Sequence, residues 1–347
     1  MRFLVFALFL VIVRQNVEAQ NMRPYDEEMQ RKHAELKGYD PNYRVNYFEN
    51  IILRTMITTN LSRLEYTSGV SKLPVDLRPA AKYQLGFSAD YKFLAIGISF
   101  TPSFLLDTKN LEELEKSESY SVSLNFFYSD QWRQELGFSY NKGFFNDNGV
   151  TDAPTYANTS ISTIEGSTFY IANNNFSYRA HYAQTERQLQ SAGSLVPRIR
   201  YAFSVFKPNI MTFESTGSTK TINSFDFLAQ LGYLYTFVYH KKWFATVGAH
   251  PGIGYNISRY NYESNIKKDE TFNNVSLLFS SGLNIGYNSY RWFFGLSYDY
   301  RNYNASNNLQ EDFSSDTNVF SVYLGYRLND NKPMRKFFGW FEDTFGF

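Results

Sequence analysis

The sequence contains no cysteine. That excludes a disulfide framework, a thiolate metal site and the acylated cysteine of a lipoprotein. Histidine is scarce too: His33, His181, His240 and His250 are the four present. None stands in a His-x-His or His-Glu-x-x-His spacing, and no EF-hand pattern occurs, so no metal or other cofactor is expected. An excess of one charge is also missing, with 34 Lys+Arg against 33 Asp+Glu and a net charge of +1. So even a balance makes no electrostatic case for nucleic acid. Beyond the first residues no apolar run reaches the ~18 residues of a membrane-crossing helix. Residues 1–19 themselves read as a secretory signal: Arg2, an apolar run from Phe3 to Val13, and small residues leading to a cut after Ala19.

What the chain has in plenty is aromatic side chains, 19% of the total, with 28 Tyr and 33 Phe. A soluble domain would struggle to bury so many, whereas a β-barrel in lipid keeps its outer face apolar. Their arrangement fits the second case. Over residues 291–300, Trp292, Phe294, Leu296, Tyr298 and Tyr300 share one parity, and Arg291, Phe293, Gly295, Ser297 and Asp299 the other. A period of two makes a strand with one apolar and one mainly polar or small face. Aromatics gathered at its ends suit the girdles at a membrane interface.

The same pattern recurs from residue 51 to 328 and predicts an all-β fold, an antiparallel transmembrane barrel of about twelve strands, with fourteen as the alternative. The connections near residues 91, 130, 241 and 289 are tight, and those near 74, 110, 153, 214, 265 and 310 are longer. Starting from a periplasmic N-terminus, this places short turns inside and long loops outside, the outer-membrane pattern. Residues 51–67 read as one strand followed by a loop to about 81, and 143–164 as a long loop. Residues 20–50 read as a periplasmic extension with a short helix over 26–37, solvated in preference to tucked into the lumen. Two segments stay open. Residues 173–193 form an ordinary long turn, or fold inward and occupy the lumen, or supply a further strand pair. Residues 329–347, an aromatic tail with Phe337, Phe338, Trp340, Phe341, Phe345 and Phe347, form an interfacial helix or pack on the periplasmic rim; the terminal Phe347 would also suit a signal to the assembly machinery.

Within 173–193 lie Phe176, Ser177, Tyr178 and Arg179, then Gln184, Glu186, Arg187 and Gln188, then Gly193. This segment, together with Leu77-Arg78-Pro79 and Tyr83-Gln84-Leu85-Gly86, resembles the signature of an uncharacterised outer-membrane family common in Bacteroidetes, a domain of unknown function. The resemblance covers roughly residues 47–328. It implies a Gram-negative outer-membrane barrel and supplies no activity or catalytic residues. Ala80 stands where the family usually has Asn.

No catalytic set is expected, so the chain does not read as an enzyme. His250 shares the lumen parity with Thr246 and Gly248, and His240 sits in a turn, so neither is placed to attack lipid. The residues that stand out are wall charges of inward parity: Asp90, Arg133, Glu135, Arg198, Arg200, Asp226, Arg291, Asp299, Arg301 and Arg327. In a barrel of this size they line an ion or solute path, or pair across the lumen and close it. The expected function is a pore or solute channel of the cell outer membrane with a narrow charged lumen. The alternative is a sealed scaffold barrel docking other envelope proteins. Membrane lipid is the expected partner, and the solute is not specified by the sequence.

Overall fold

The computed structural model describes residues 27–67, 74–106, 117–146, 155–208, 219–262, 269–306 and 312–345. The secretory signal expected over 1–19 lies outside the described residues, and so does Phe347. Helix α1 (Glu27–Lys37) leads to strands β1 (Arg44–Asn46), β2 (Asn50–Thr59), β3 (Arg63–Thr67), β4 (Pro74–Pro79), β5 (Tyr83–Tyr91) and β6 (Leu94–Phe100). Next are β7 (Glu118–Phe127), β8 (Trp132–Phe145), β9 (Thr155–Tyr170), α2 (Tyr178–Tyr182), β10 (Glu186–Gln188) and β11 (Ala192–Lys207). The chain ends with β12 (Thr219–Tyr239), β13 (Trp243–Tyr262), β14 (Glu270–Asn288), β15 (Trp292–Ser306), β16 (Asp312–Asn329) and α3 (Lys332–Phe345).

Twelve strands close into one antiparallel ring, β2–β5–β6–β7–β8–β9–β11–β12–β13–β14–β15–β16, with β16 returning to β2 through pairs such as Leu324↔Thr55. Residues 173–193 add no strand to the wall, because β10 pairs with β1 in a separate two-stranded sheet. The tight connections all lie at one end, called here the turn end. The turn between β12 and β13 places His240 (φ 51°) and Lys241 (φ 57°) in succession in the left-handed region, the type I′ geometry whose twist matches a hairpin.

Residues 51–67 are not one continuous strand, and part of the loop expected to reach residue 81 is itself a strand. β2 breaks at 60–62 and resumes as β3, which pairs with β4. β3 lies beside β16, and β4 lies beside β8 through Arg78↔Phe145 and Pro79↔Phe144. The short hairpin β6–β7 stops lower down, so the ring has twelve strands at the turn end and ten at the loop end. Gly143 makes the exchange of neighbours possible: at φ +88° it redirects β8 from β7 to β4, and its carbonyl accepts from the Ala80 N–H at 3.0 Å. β4 carries Pro at both ends, as a short irregular strand tolerates. The expected long loop over 143–164 is shorter than read, since β8 runs to Phe145 and β9 begins at Thr155.

Side chains alternate across this wall with the sense inverted relative to a soluble protein. Ile164, Phe227, Leu231 and Ile253 are exposed on the outside, while Thr246, Asn256, Ser276 and Asn284 are buried on the inside. Trp132, Trp243 and Trp292 each stand half-exposed on the outer face just above a tight turn. An apolar exterior with aromatics near its edge and a polar interior is the architecture of a transmembrane β-barrel. At the turn end α3 docks on the rim: Phe338 meets Tyr91 (ring centroids 4.8 Å) and Phe93 (5.5 Å), and Phe341 stacks on Phe93 (5.3 Å). Phe337 and Trp340, on the adjoining helix face, are each 58% exposed. Of the two placements open for the tail, the structure shows packing on the rim, with an aromatic stripe left exposed on the helix.

Candidate functional site: the lumen and its plug

The turn end of the lumen is filled by the protein's own chain. α1 starts with Glu27 and Glu28, ends on Lys37 and stops at Gly38 (φ +70°), signs of charge that suit the helix dipole and a left-handed stop. It buries Gln30 and Ala34; the Gln30 amide donates to the Asn46 carbonyl (3.1 Å) and accepts from the Asn46 N–H (3.0 Å). Residues 27–50 are thus packed on the barrel mouth and are not a solvated tail. Residues 173–193 fold inward, the second of the readings open for them. Ser177 caps α2 by accepting from the Ala180 N–H at 2.9 Å. Phe176, Tyr178, Phe127, Phe169, Val196 and Leu234 pack as one apolar cluster between plug and wall.

At the plug's centre sits Glu186, with 0% exposure. Its carboxylate accepts from Arg44 Nε (2.9 Å), Arg44 Nη2 (2.8 Å) and Ser177 Oγ (2.5 Å). Arg44 also donates to Asp130 (3.3 Å) and the Asn174 carbonyl (2.7 Å). Arg179 Nε lies 3.9 Å from both Glu186 and Asp130, and Arg179 Nη1 donates to the Lys92 carbonyl at 2.8 Å. Two guanidinium groups thus face two carboxylates, all nearly dry. Burial opposes the charge of Arg44, but Glu186 and then Asp130 outweigh it and hold the guanidinium charged above its ordinary range. For Arg179 burial dominates and its pKa falls. Burial also lowers the pKa of His33 on α1. Burial, assisted by Arg133 and His250, pushes His181 on α2 down to about 4.

The wall charges singled out in the sequence divide by height. Arg133 and Arg327 seat the plug. Arg133 is fully buried, pairs with Glu135 and lies under Tyr182 (3.7 Å) and Tyr178 (4.7 Å). Arg327 donates to the carbonyls of Gln184 (2.7 Å) and Ser289 (2.6 Å) and covers Tyr47 (3.9 Å). Gln184 presents that carbonyl from a left-handed backbone (φ 56°), an arrangement costing about 1–2 kcal/mol. Arg291 does not line the lumen: it belongs to the turn before β15, 5.6 Å from the ring of outward-facing Tyr326. Odd-even parity fails there because a turn residue has left the pleat.

Higher up, Asp90 and Asp299 line a cavity of about 270 Å³ together with Arg54, His181 and Tyr323. Arg198 lies 4.0 Å from Glu135 and donates to Ser167 at 2.9 Å. A second cavity of about 190 Å³ occupies the loop-end half and contains Arg200, Asp226 and Arg301. There Arg200 pairs with Glu165 (2.7 Å), Arg301 lies 3.8 Å from the same carboxylate, and Asp226 accepts from Tyr303 and from Asn256 (2.8 Å). An apolar collar of Leu64, Leu77, Phe144, Phe206, Ile222 and Tyr260 rings the loop end.

The sequence reading missed Arg44, Arg54, Asp130 and Glu165. Glu165 was findable, since it shares the inward parity of Thr163 and Ser167; Arg44 was not, since nothing local marks a polar lead-in as buried. The segment carrying the family resemblance proves to be the plug itself: Phe176, Ser177, Tyr178, Arg179, Gln184, Glu186 and Gln188 are all buried. Gln188 accepts from the Ser177 N–H (2.7 Å) and donates to the Asn175 carbonyl (2.8 Å), and Arg187 reaches the Asn288 carbonyl (3.5 Å). Gly193 lies instead on the outer face, where a Cβ would collide with the Tyr233 hydroxyl.

Among the described residues no three His, Asp or Glu side chains converge as a metal site. His250 is enclosed on the lumen side of β13, and its Nε2 has no hydrogen bond. No curated protein matches the chain. Solved structures similar to it include the outer membrane protease OmpT from Escherichia coli, at 7% identity and TM-score 0.34 over 82% of this chain and 98% of that one. The translocator domain of autotransporter NalP from Neisseria meningitidis aligns at 12% identity and TM-score 0.37, covering 86% of this chain and 95% of its own. The transport unit of autotransporter AIDA-I from Escherichia coli aligns at 10% identity and TM-score 0.33, covering 91% and 94%. The family described as "Domain of unknown function (DUF4421)" matches residues 38–328, from the end of α1 to the last wall strand, and the chain belongs to that family.

Proposed function

We propose that this chain is an outer-membrane β-barrel that its own plug seals from the periplasmic side, a closed barrel in its resting state and not a freely conducting pore. The turn end then faces the periplasm and the loop end the outside, as short turns and long loops do in such barrels. The apolar outer belt contacts membrane lipid, and the exposed stripe of Phe337 and Trp340 extends that contact at the inner rim, with Lys332, Arg335 and Lys336 alongside. The observation carrying the reading is the dry pairing of Arg44 with Glu186 across the mouth, at 2% and 0% side-chain exposure. Arg133 and Arg327, two of the inward charges that would serve a conducting path, are engaged in holding the plug. A closed barrel acts through its surfaces, so other envelope proteins docking on loops, plug or rim are its expected partners.

A channel opened by displacement of the plug is the second reading, favoured by the two cavities stacked above it. Planar-bilayer recording separates the two. The intact protein is expected to give no steady ion current, and a steady current from it would overturn the sealed reading. Removing both plug segments, residues 27–46 and 174–190 with a short Gly-Ser turn in place of the second, should open a steady current on the channel reading. Continued silence of that folded variant removes the channel reading.

A further inference from the structure

We propose that the loop-end cavity is a binding site for a small, uncharged, polyhydroxylated molecule of the size of one sugar ring. The inference goes beyond the sealing of the barrel and does not depend on it, because the cavity lies above the plug. Its volume of about 190 Å³ would hold about six waters, or one compact ligand in their place.

The charges argue for neutrality. Arg200 and Arg301 carry two positive charges, and Glu165 and Asp226 two negative ones. Each is already engaged inside the wall: Arg200 and Arg301 with Glu165, and Asp226 with Tyr303 and Asn256. An anion would have to displace Glu165 from Arg200, and a cation would meet an equal number of guanidinium groups.

The rest of the lining is hydroxyl and amide. Thr163 and Ser204 share a hydrogen bond of 2.9 Å and keep further donor and acceptor capacity, while Ser224 and Ser258, bonded to each other (3.2 Å) and to Asn256 (2.7 and 2.8 Å), keep acceptor capacity. Asn274, 7% exposed, donates from Nδ2 to Asn256 Oδ1 (3.1 Å), while its own Oδ1 carbonyl has no hydrogen bond. A buried acceptor without a donor is costly, and since Asn274 lines the cavity, a ligand hydroxyl would satisfy it after a small turn of the amide. On the loop side the wall changes to Phe206, Ile222 and Tyr260, surfaces suited to the C–H face of a ring. An apolar wall facing a few placed polar groups is how small-molecule sites combine affinity and orientation.

The test uses the full-length chain in detergent, with folding followed by the heat-dependent shift in gel mobility that intact barrels give. Binding of D-glucose, D-galactose and D-mannose is measured by saturation-transfer NMR, with inorganic phosphate and choline as charged probes. At least one sugar is expected to bind saturably and better than either ion. Asn274→Leu should weaken that binding about tenfold, the worth of one well-placed hydrogen bond. Ala202→Phe, which fills the cavity, should abolish it. Should these two variants fail to fold, the ranking of sugars against ions on the intact protein decides alone. Absence of saturable binding by all three sugars, stronger binding of phosphate or choline, or full sugar binding by folded Ala202→Phe would each overturn the proposal.

Discussion

The two ends of this lumen are built on different physics. At the turn end the protein places two guanidinium groups against two carboxylates in a nearly dry plug, held to the wall by Arg133 and Arg327. At the loop end it uses an apolar collar above a polar cavity, and the ion pairs there stay in contact with space. Glu186 has 0% side-chain exposure and Glu165 has 36%. The lesson is that the same pair of residue types, Arg and Glu, locks a segment in place in one location and only sets the polarity of a chamber in the other. What decides is the access of water to each pair.

The largest expected effect breaks the turn end. Glu186→Ala leaves Arg44 and Arg179 short of a buried partner, which costs about 3–5 kcal/mol, and it should expose α1 to protease while the barrel wall survives. Its counterpart Glu165→Ala removes a partner that water can replace, and about 1 kcal/mol is expected after allowing for that screening. Equal losses of thermal stability in the two variants would erase the contrast.

Acid should loosen the plug next. His181 is held neutral down to about pH 4, against an ordinary value near 6.5. Below pH 6.5 the released chain binds a proton that the packed chain does not. The stabilisation is therefore complete above that pH, declines as pH falls, and is lost at about 4, by at most about 3 kcal/mol. His33 is shifted in the same direction and adds to the effect. Protease sensitivity of α1 should rise between pH 6.5 and 4.5; an unchanged digestion rate would remove both histidines from the account.

A change in the collar is smaller and should act locally. Leu77 is fully buried, and Leu77→Ala should cost about 2 kcal/mol of barrel stability without exposing α1 to protease. Smallest of all is the rim. Trp340→Ala should change stability in detergent by less than about 0.5 kcal/mol, since the ring is exposed there. Quenching of tryptophan emission by brominated lipid in reconstituted vesicles should nonetheless fall, and an unchanged quenching profile would remove the rim helix from the lipid contact.

Much of the wall was legible residue by residue. Trp292, Phe294 and Leu296 point outward and Phe293, Gly295 and Ser297 inward, as their alternation requires, because the pleat leaves a strand only two faces. The tight turns at 92 and 240–241 were legible for the same reason. Less could be read where the chain leaves the pleat. The exchange of β6 and β7 for β4 beside β8 depends on one left-handed glycine, Gly143, and on which strand happens to lie nearby. Arg291, of lumen parity in the sequence, sits in a turn and points elsewhere. Arg133 and Arg327 were found as inward charges, but their task of gripping the plug depends on Tyr182 and Gln184, remote from both in sequence.

The sequence alone determined that strands would form and which of their faces would meet hydrocarbon, because a period of two and an aromatic-rich parity are local properties of the chain. Only the tertiary structure decided that residues 27–50 and 173–193 meet at the turn-end mouth of the barrel. Arg44 and Glu186 lie 142 positions apart, and a charge becomes a bolt or a solvated ornament according to how much water its final neighbours leave around it.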